Sequence, residues 1–229
     1  MNPASWFLLA SGFGSPAYNM ALDECLLMAA PQTGRPVLRF YGWAQPAASF
    51  GYSQPIALIE RLTPLRPLVR RPTGGGLVPH DADWTYSVAV PPAHPWYALK
   101  AVESYARIHQ WLQSAFARLG VPTELAPSRR EEQPGQCFFG HETSDLLWRH
   151  RKIAGAAQRR TKTGLLIQGS VQPPPPGLAR SDWELAMSDV ASADWGIRWE
   201  TLPPSASLMQ QAQELADHKY ALPAYNRRR

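Results

Sequence analysis

Residues 70–81, RRPTGGGLVPHD, constrain this chain more than any other stretch. Three consecutive glycines, Gly74, Gly75 and Gly76, stand between Arg70 and Arg71 on one side and His80 and Asp81 on the other. Glycine opens backbone conformations closed to other residues and lets a ligand lie against bare main chain. Such a loop presents N–H groups to an anion or a carbonyl, and the arginines supply charge. The surrounding LVRRPTGGGLVPHDADWTYSVAVPP predicts two strands joined across the glycines. A plain hairpin turn also uses glycine, but it needs neither the arginine pair before nor the His-Asp pair after.

The rest of the chain alternates between helical and extended patterns. SWFLLAS predicts a first strand, and SPAYNMALDECLLMAA a helix capped by Ser15 with Pro16 in its first turn and Leu22, Cys25, Leu26 and Ala29 on one face. RPVLRFYGW and AASFGYSQ predict strands that break at Gly42 and Gly51, and IALIERLTP a short helix or turn. WYALKAVESYARIHQWLQSAFARLG is the longest helical pattern, closed by Gly120. DLLWRHRKIAGAAQRRTKTGLLIQGSVQP predicts two strands around a turn at Lys162–Gly164. After the extended PPPP at 173–176, residues 177–229 predict short helices separated by prolines, packed on the sheet. The sum is an α/β domain with a mixed or mainly antiparallel sheet, spanning 1–229, with a helical C-terminal extension. No GxGxxG follows a strand, so dinucleotide binding is not expected.

Composition narrows the function classes. With 45% hydrophobic and 18% charged residues the chain is ordinary for a globular protein. The net charge of +5 includes Arg227, Arg228 and Arg229, which predict a solvated tail; nucleic-acid binding needs more than that. The remaining excess favours an acidic partner. No apolar run is long enough to span a membrane, and MNPASWFLLASG lacks the basic start of a signal peptide. Two distant cysteines, Cys25 and Cys137, exclude a disulfide framework and fit a reducing cytoplasm.

Two further stretches carry chemistry. In HRKIAGAAQRR, Lys152 is followed by Ala154, Gly155, Ala156 and Ala157, whose small side chains leave room for a slender ligand beside the lysine. A lysine in an alternating segment is also what an exposed strand carries. In GQCFFGHETSDLL, Cys137 sits among glycine and polar residues, whereas Cys25 falls on the apolar face of a helix. A loop thiol near cationic groups can have a lowered pKa and act as a nucleophile; a buried thiol is inert.

Taken in order, NMALDE, SFGYSQ, RRPTGGGLVPHD, KIAGAAQRR and LLIQGS resemble the motifs of the lipoate-attachment family. That family comprises lipoate–protein ligases and octanoyl transferases and shares its fold with biotin–protein ligases. The resemblance implies a mixed, mainly antiparallel sheet flanked by helices, with a tunnel for a medium-length acyl chain. It implies that Arg70, Arg71, Thr73, Gly74, Gly75 and Gly76 lie along the carboxyl end of the ligand, with His80 and Asp81 continuing the motif. Lys152 matches the lysine that points at the reactive carbonyl; Gly155, Ala157 and Gln158 belong to the same segment, and Gly169 and Ser170 to the last motif. Gln168 stands where that last motif often carries histidine.

The family divides by reaction. One branch forms an acyl-adenylate from free lipoate, ATP and magnesium. The other takes octanoyl from acyl carrier protein, or from another lipoyl domain, through a cysteine thioester and needs no cofactor. Both deliver the acyl group to a lysine of a lipoyl domain. Cys137, followed by Phe138, matches the transferase cysteine of Gram-positive bacteria, and SFGYSQ also leans that way. Asp145 stands where ligases often carry aspartate. Many ligases add a C-terminal domain for which this chain has no room. The resemblance therefore implies an octanoyl or lipoyl transferase working through Cys137 and Lys152, without a metal. The alternatives are an ATP-dependent ligase subunit and a non-catalytic acyl-binding protein.

Overall fold

The computed structural model describes residues 4–131, 140–203 and 205–228. From the N-terminus, β1 (Ser5–Gly14) leads into α1 (Pro16–Thr33), β2 (Val37–Trp43), β3 (Ala47–Phe50), α2 (Ile56–Leu62), β4 (Leu68–Arg70), β5 (Leu77–His80) and β6 (Trp84–Val90). Next come α3 (Pro95–Ala98), α4 (Ala101–Arg118) and the short strands β7 (Glu124–Leu125), β8 (Arg130–Glu131), β9 (Gly140–His141) and β10 (Leu146–Trp148). The hairpin of β11 (Arg151–Thr161) and β12 (Gly164–Val171) precedes α5 (Arg180–Trp195), β13 (Arg198–Thr201), α6 (Ala206–Leu215), a π-helical turn at Ala216–Tyr220, and α7 (Pro223–Asn226).

Among the described residues the main sheet has eight strands in the order β13-β1-β2-β6-β12-β11-β10-β7. The pairs β13–β1 and β1–β2 are parallel and the others antiparallel. A smaller sheet, β4-β3-β5, stands apart from it. Every residue of β2, β6 and β12 is buried, as expected of strands covered on both faces. Alternation sends Leu38, Phe40, Tyr86, Val88, Leu165 and Ile167 into one core with Ile108, Trp111 and Phe116 of α4 and Trp183 and Met187 of α5. Val37 and Ala89 face the opposite way, against Leu22, Cys25 and Leu26 of α1 and Ala212 of α6.

Local signals explain most element ends. The Ser15 hydroxyl accepts from the Tyr18 N–H at 3.2 Å, and Gly34 closes α1 in a left-handed conformation. The helical pattern at 96–120 is two helices: it breaks at Leu99, and α4 restarts where the Lys100 N–H donates to the Glu103 carboxylate at 2.7 Å.

Three expectations need correction. The stretch around the three glycines holds three strands, β4, β5 and β6, since the chain breaks again after His80, and the first two flank β3 as its partners. The stretch from Asp145 to Val171 holds three strands, since the chain also turns at Arg149 and His150, both at positive φ (51° and 61°). Within 177–228, α5 has 16 residues and β13 is a strand that extends the main sheet beside β1.

Candidate active site

A narrow cavity opens between the two sheets. Tyr41 and Trp43 of β2, Thr85 of β6 and Gln168, Gly169 and Ser170 of β12 line it from the main sheet, and Met20 of α1 closes one side. Ser49, Val78 and His80 of the smaller sheet, with Arg71 and Gly75 of its loop, form the opposite wall. Lys152, Gly155, Ala156 and Ala157 of β11 complete the lining.

A bulge aims Lys152. Leu146 pairs with Ala154 but Leu147 pairs with Lys152, so Ile153 is one residue too many for the ladder. Side chains alternate along a regular strand, which would put Lys152 and Gly155 on opposite faces; the extra residue brings them to the same one. A Cβ on Gly155 would lie 2.6 Å from Lys152 Cε and 2.7 Å from its Nζ. Glycine at 155 is thus the space in which the lysine lies. Lys152 Nζ is 2.7 Å from Asp145 Oδ2, with the lysine side chain 7% exposed and the aspartate fully buried. Asp145 Oδ2 also accepts the Glu142 N–H at 2.7 Å, and Oδ1 accepts the Tyr105 hydroxyl. Burial and the Asp145 charge push the Tyr105 phenol well above its ordinary pKa, so it stays a donor.

Behind Asp145 lies His109, fully buried, with Nε2 3.9 Å from Asp145 Oδ1. Burial pulls its imidazole down to about 4, assisted by the Lys152 charge and opposed by Asp145 and by its bond to the Tyr105 carbonyl. Unfolded, it takes its proton near 6.5. The unfolded state therefore binds more protons between those values, and stability falls as pH drops through that window. At 1.36 kcal/mol per pH unit, the loss by about pH 5 is about 2 kcal/mol. Urea unfolding at about pH 7.5 and about pH 5 should show a smaller acid-side loss in His109→Leu, by that amount; equal losses in the two proteins would refute the assignment.

A second buried network holds the far wall. Asp23 accepts from Arg39 Nη1 (2.6 Å), the Ser87 hydroxyl (2.6 Å), the Tyr41 hydroxyl (3.1 Å) and Gln168 Nε2 (2.7 Å). The other end of the Gln168 amide accepts the Thr73 hydroxyl at 2.7 Å. The arginine–carboxylate pair is almost completely desolvated, and it is tolerated because Asn19 and Ser11 take up three more of the guanidinium hydrogens. Gln168 thereby couples α1 to the glycine loop through one side chain.

The structure sorts the residues singled out in the sequence. Arg71, Gly75, His80, Lys152, Gly155, Ala157, Gly169 and Ser170 line the cavity together. Arg70, Thr73, Gly74, Gly76, Asp81 and Gln158 are not among its lining. Arg70 donates to the carbonyls of Tyr52 and Gln54 at 2.8 Å and of Asn226 at 2.9 Å, tying the β3 turn to the C-terminal helix. The Gly74 carbonyl accepts from Arg71, Gln158 joins β11 to α4 through Ser104 and Ala101, and Asp81 is exposed at a separate opening. Cys137 lies outside the described residues. Cys25 is buried, and burial with the neighbouring Glu24 charge pushes its thiol up to about 11, which rules out a thiolate role at neutral pH.

Other contributors escaped the sequence reading: Ser49, Trp43, Asp23, Tyr105 and Asp83. Asp83 is three residues beyond His80, and its Oδ2 receives His80 Nδ1 at 2.8 Å. Burial raises the Asp83 carboxyl, but the His80 charge and hydrogen bonds from His80, Ser170 and Thr85 outweigh it and hold the pKa below its ordinary value.

A second hollow meets the cavity at Lys152. Its described lining includes Arg130, Arg149, Arg151, His141 and His150, and no carboxylate. Among the described residues no helix is long and apolar enough to cross a membrane.

This geometry has relatives. Residues 15–172 match the model of the lipoyl protein ligase A/B catalytic domain. The chain is 38% identical over 180 residues to Octanoyltransferase LipM of Geobacillus kaustophilus, covering 72% of this chain and 64% of that protein. It is 36% identical over 184 residues to Octanoyltransferase LipM of Bacillus subtilis, covering 75% and 66%. It thus spans just under two thirds of the length of these curated relatives. The fold is similar to that of lipoate-protein ligase A bound with ATP (TM-score 0.76, 19% identity, 99% of both chains). It also resembles a bi-partite lipoate protein ligase from Thermoplasma acidophilum (TM-score 0.72, 19% identity, 99% of this chain and 97% of that one). At those identities the likeness concerns the fold, which is the mixed, mainly antiparallel sheet flanked by helices described above. With the family model matched across the first helix, the glycine loop and the lysine hairpin, the chain belongs to the lipoyl protein ligase A/B catalytic domain family.

Proposed function

We propose that this chain transfers an octanoyl group from acyl carrier protein to a lysine of a lipoyl-domain protein, through a thioester on Cys137. The observation that carries this reading is Lys152, a nearly buried ammonium held 2.7 Å from Asp145 on the wall of the cavity between the sheets. In the first step the Cys137 thiolate attacks the thioester carbonyl, the carbon–sulfur bond to the carrier breaks, and the carrier leaves as a thiolate that takes a proton from solvent. In the second the neutral amine of the acceptor lysine attacks the enzyme thioester, gives a proton to solvent, and Cys137 departs as the thiolate. The charge of Lys152 steadies the thiolate and the oxyanion in both steps. Thioester exchange is nearly neutral in free energy and amide formation runs downhill, so the transfer needs no cofactor. The octanoyltransferase names of relatives at 36–38% identity support the same choice.

The basic hollow beside Lys152 suits the approach of an acidic carrier or lipoyl domain. In this reading Arg71, Gly75, His80, Gly155, Ala157, Gly169 and Ser170 contact the acyl end, while Arg70, Thr73, Gly74, Gly76, Asp81 and Gln158 shape the walls. Residues 177–229 act as part of the same catalytic unit, since α5 packs on α4 and α6 on α1. The cytoplasm is the proposed compartment, because a thiolate nucleophile needs reducing surroundings.

A second reading, an ATP- and magnesium-dependent ligase subunit, is favoured by Asp145 itself, which stands where the ligases of this family often carry aspartate. Mixing the protein with octanoyl acyl carrier protein, without ATP, separates the two. The expected product is an octanoyl adduct on the Cys137 peptide, released by neutral hydroxylamine as a thioester should be. Absence of the adduct, with an acyl-adenylate formed only when ATP and free lipoate are added, would overturn the transferase reading.

A further inference from the structure

We propose that Ser49, His80 and Asp83 form a Ser-His-Asp triad in the cavity wall, and that Ser49 is a second acyl-accepting nucleophile that hydrolyses medium-chain acyl thioesters. The proposal shares the acyl cavity with the function above and does not depend on Cys137.

Strand pairing creates the arrangement. Ala47 is opposite His80 and Ser49 opposite Val78, so Ser49 and His80 are diagonal neighbours on one face of the β3–β5 ladder. Ser49 Oγ is 2.8 Å from His80 Nε2, and His80 Nδ1 is 2.8 Å from Asp83 Oδ2. An ionised carboxylate only accepts, so Nδ1 directs a proton to Asp83, and Nε2 is the ring nitrogen that faces the Ser49 hydroxyl. The ring is fixed in place: Trp43 stacks on it at 3.8 Å between centroids. Asp83 Oδ2 is fixed too, by the Ser170 hydroxyl at 2.7 Å and the Thr85 hydroxyl at 2.9 Å, and Thr85 in turn receives Trp43 Nε1 at 2.8 Å. Arg71 Nη1 donates to Ser49 Oγ at 3.3 Å and so places positive charge beside the attacking oxygen. Ser49, Arg71 and His80 all line the cavity that also holds Lys152.

The chemistry closes without a further reactant beyond water. Ser49 Oγ attacks the thioester carbonyl carbon as its proton passes to His80 Nε2. The carbon–sulfur bond breaks, the departing sulfur takes that proton, and an octanoyl ester remains on Ser49. Water then attacks the ester carbonyl, giving a proton to His80; the carbon–oxygen bond breaks and Ser49 recovers the proton. The net reaction is thioester plus water to carboxylic acid plus thiol. It would discharge acyl groups that reach the cavity while no acceptor lysine is present.

An octyl fluorophosphonate tests the triad, because it phosphonylates a serine activated by histidine with loss of fluoride. Labelling is read on the Ser49 peptide by mass spectrometry, so the result is independent of whether an acyl group ever resides on Cys137. The expected result is one label on Ser49, absent in Ser49→Ala and formed at least about a hundredfold more slowly in Asp83→Asn. With octanoyl N-acetylcysteamine thioester and no acceptor, and with Cys137→Ala in place so that no acyl group resides on that thiol, free octanoate release should fall to background when Ser49→Ala is added. Circular dichroism establishes that each variant is folded; Ser49→Cys, which keeps the side-chain volume, should instead give an acyl adduct sensitive to neutral hydroxylamine on the peptide that carries residue 49. No label on Ser49, a labelling rate unchanged in Asp83→Asn, or octanoate release that survives the added Ser49→Ala would each overturn the proposal.

Discussion

Replacing Lys152 with Met is expected to lower acyl transfer about 10²–10³-fold and to weaken the fold by about 3 kcal/mol. The two effects have separate origins. Methionine keeps much of the length and apolar stem of lysine, so the cavity wall survives, but it cannot place charge at the reacting carbonyl. The stability cost arises because Asp145 is fully buried and loses a cation 2.7 Å from its Oδ2. Its other donors, the Glu142 N–H and the Tyr105 hydroxyl, are neutral and do not balance its charge. Adding Asp145→Asn to Lys152→Met removes the stranded charge and should recover most of the stability while leaving transfer low. Urea unfolding and single-turnover transfer, measured on the single and double variants, separate the contributions. Transfer by Lys152→Met within threefold of the unaltered protein would mean that the ammonium is a structural partner of Asp145 and takes no part in the chemistry.

The lysine was legible in the sequence and its geometry was not. KIAG places small residues after Lys152, and small residues signal room. Period-2 alternation, however, puts Lys152 and Gly155 on opposite faces; only the extra residue at Ile153 brings them together, and a bulge leaves no mark in composition. Arg149 and His150 hid a turn for a related reason, since arginine does not favour positive φ and a lone histidine signals a turn far more weakly than glycine does. The core strands could be recognised from hydrophobic content, and α1 from its serine cap and following proline. Strand order was another matter. That β3 runs between β4 and β5 depends on long-range pairing that no local pattern encodes.

The glycine loop shows the same limit at the site. Its arginines looked like a matched pair facing one ligand, yet Arg71 lines the cavity while Arg70 satisfies carbonyls of the β3 turn and of α7. Successive residues on extended chain point to opposite sides, so a double arginine supplies one group to each. Asp81 beside His80 seemed its natural partner, but the turn after β5 exposes Asp81 and brings Asp83 to the imidazole.

Gly51→Ala is expected to cost about 3 kcal/mol or more, a fall in melting temperature of roughly 6–12 °C for a chain of this size. The glycine loop crosses the chain at Gly51, directly after β3, and a Cβ built there would sit 1.9 Å from the Gly75 carbonyl oxygen, 2.8 Å from the Gly75 carbonyl carbon and 2.9 Å from that of Gly74. All three atoms are backbone, so no rotamer change relieves the overlap. The crossing is also pinned on either side: the Tyr52 N–H donates to the Thr73 carbonyl at 2.8 Å, and the Arg71 N–H to the Phe50 carbonyl at 2.9 Å. A methyl group at 51 must therefore break these bonds or push the loop outward, carrying Arg71 and Gly75 away from the cavity. Gly74→Ala is the matched control. Its Cβ would meet nothing within 4 Å, so the change should stay within about 0.5 kcal/mol. Thermal unfolding of the two variants compares them directly. If Gly51→Ala melts with Gly74→Ala, the close crossing of the loop at Gly51 is not how this chain builds the wall of its cavity.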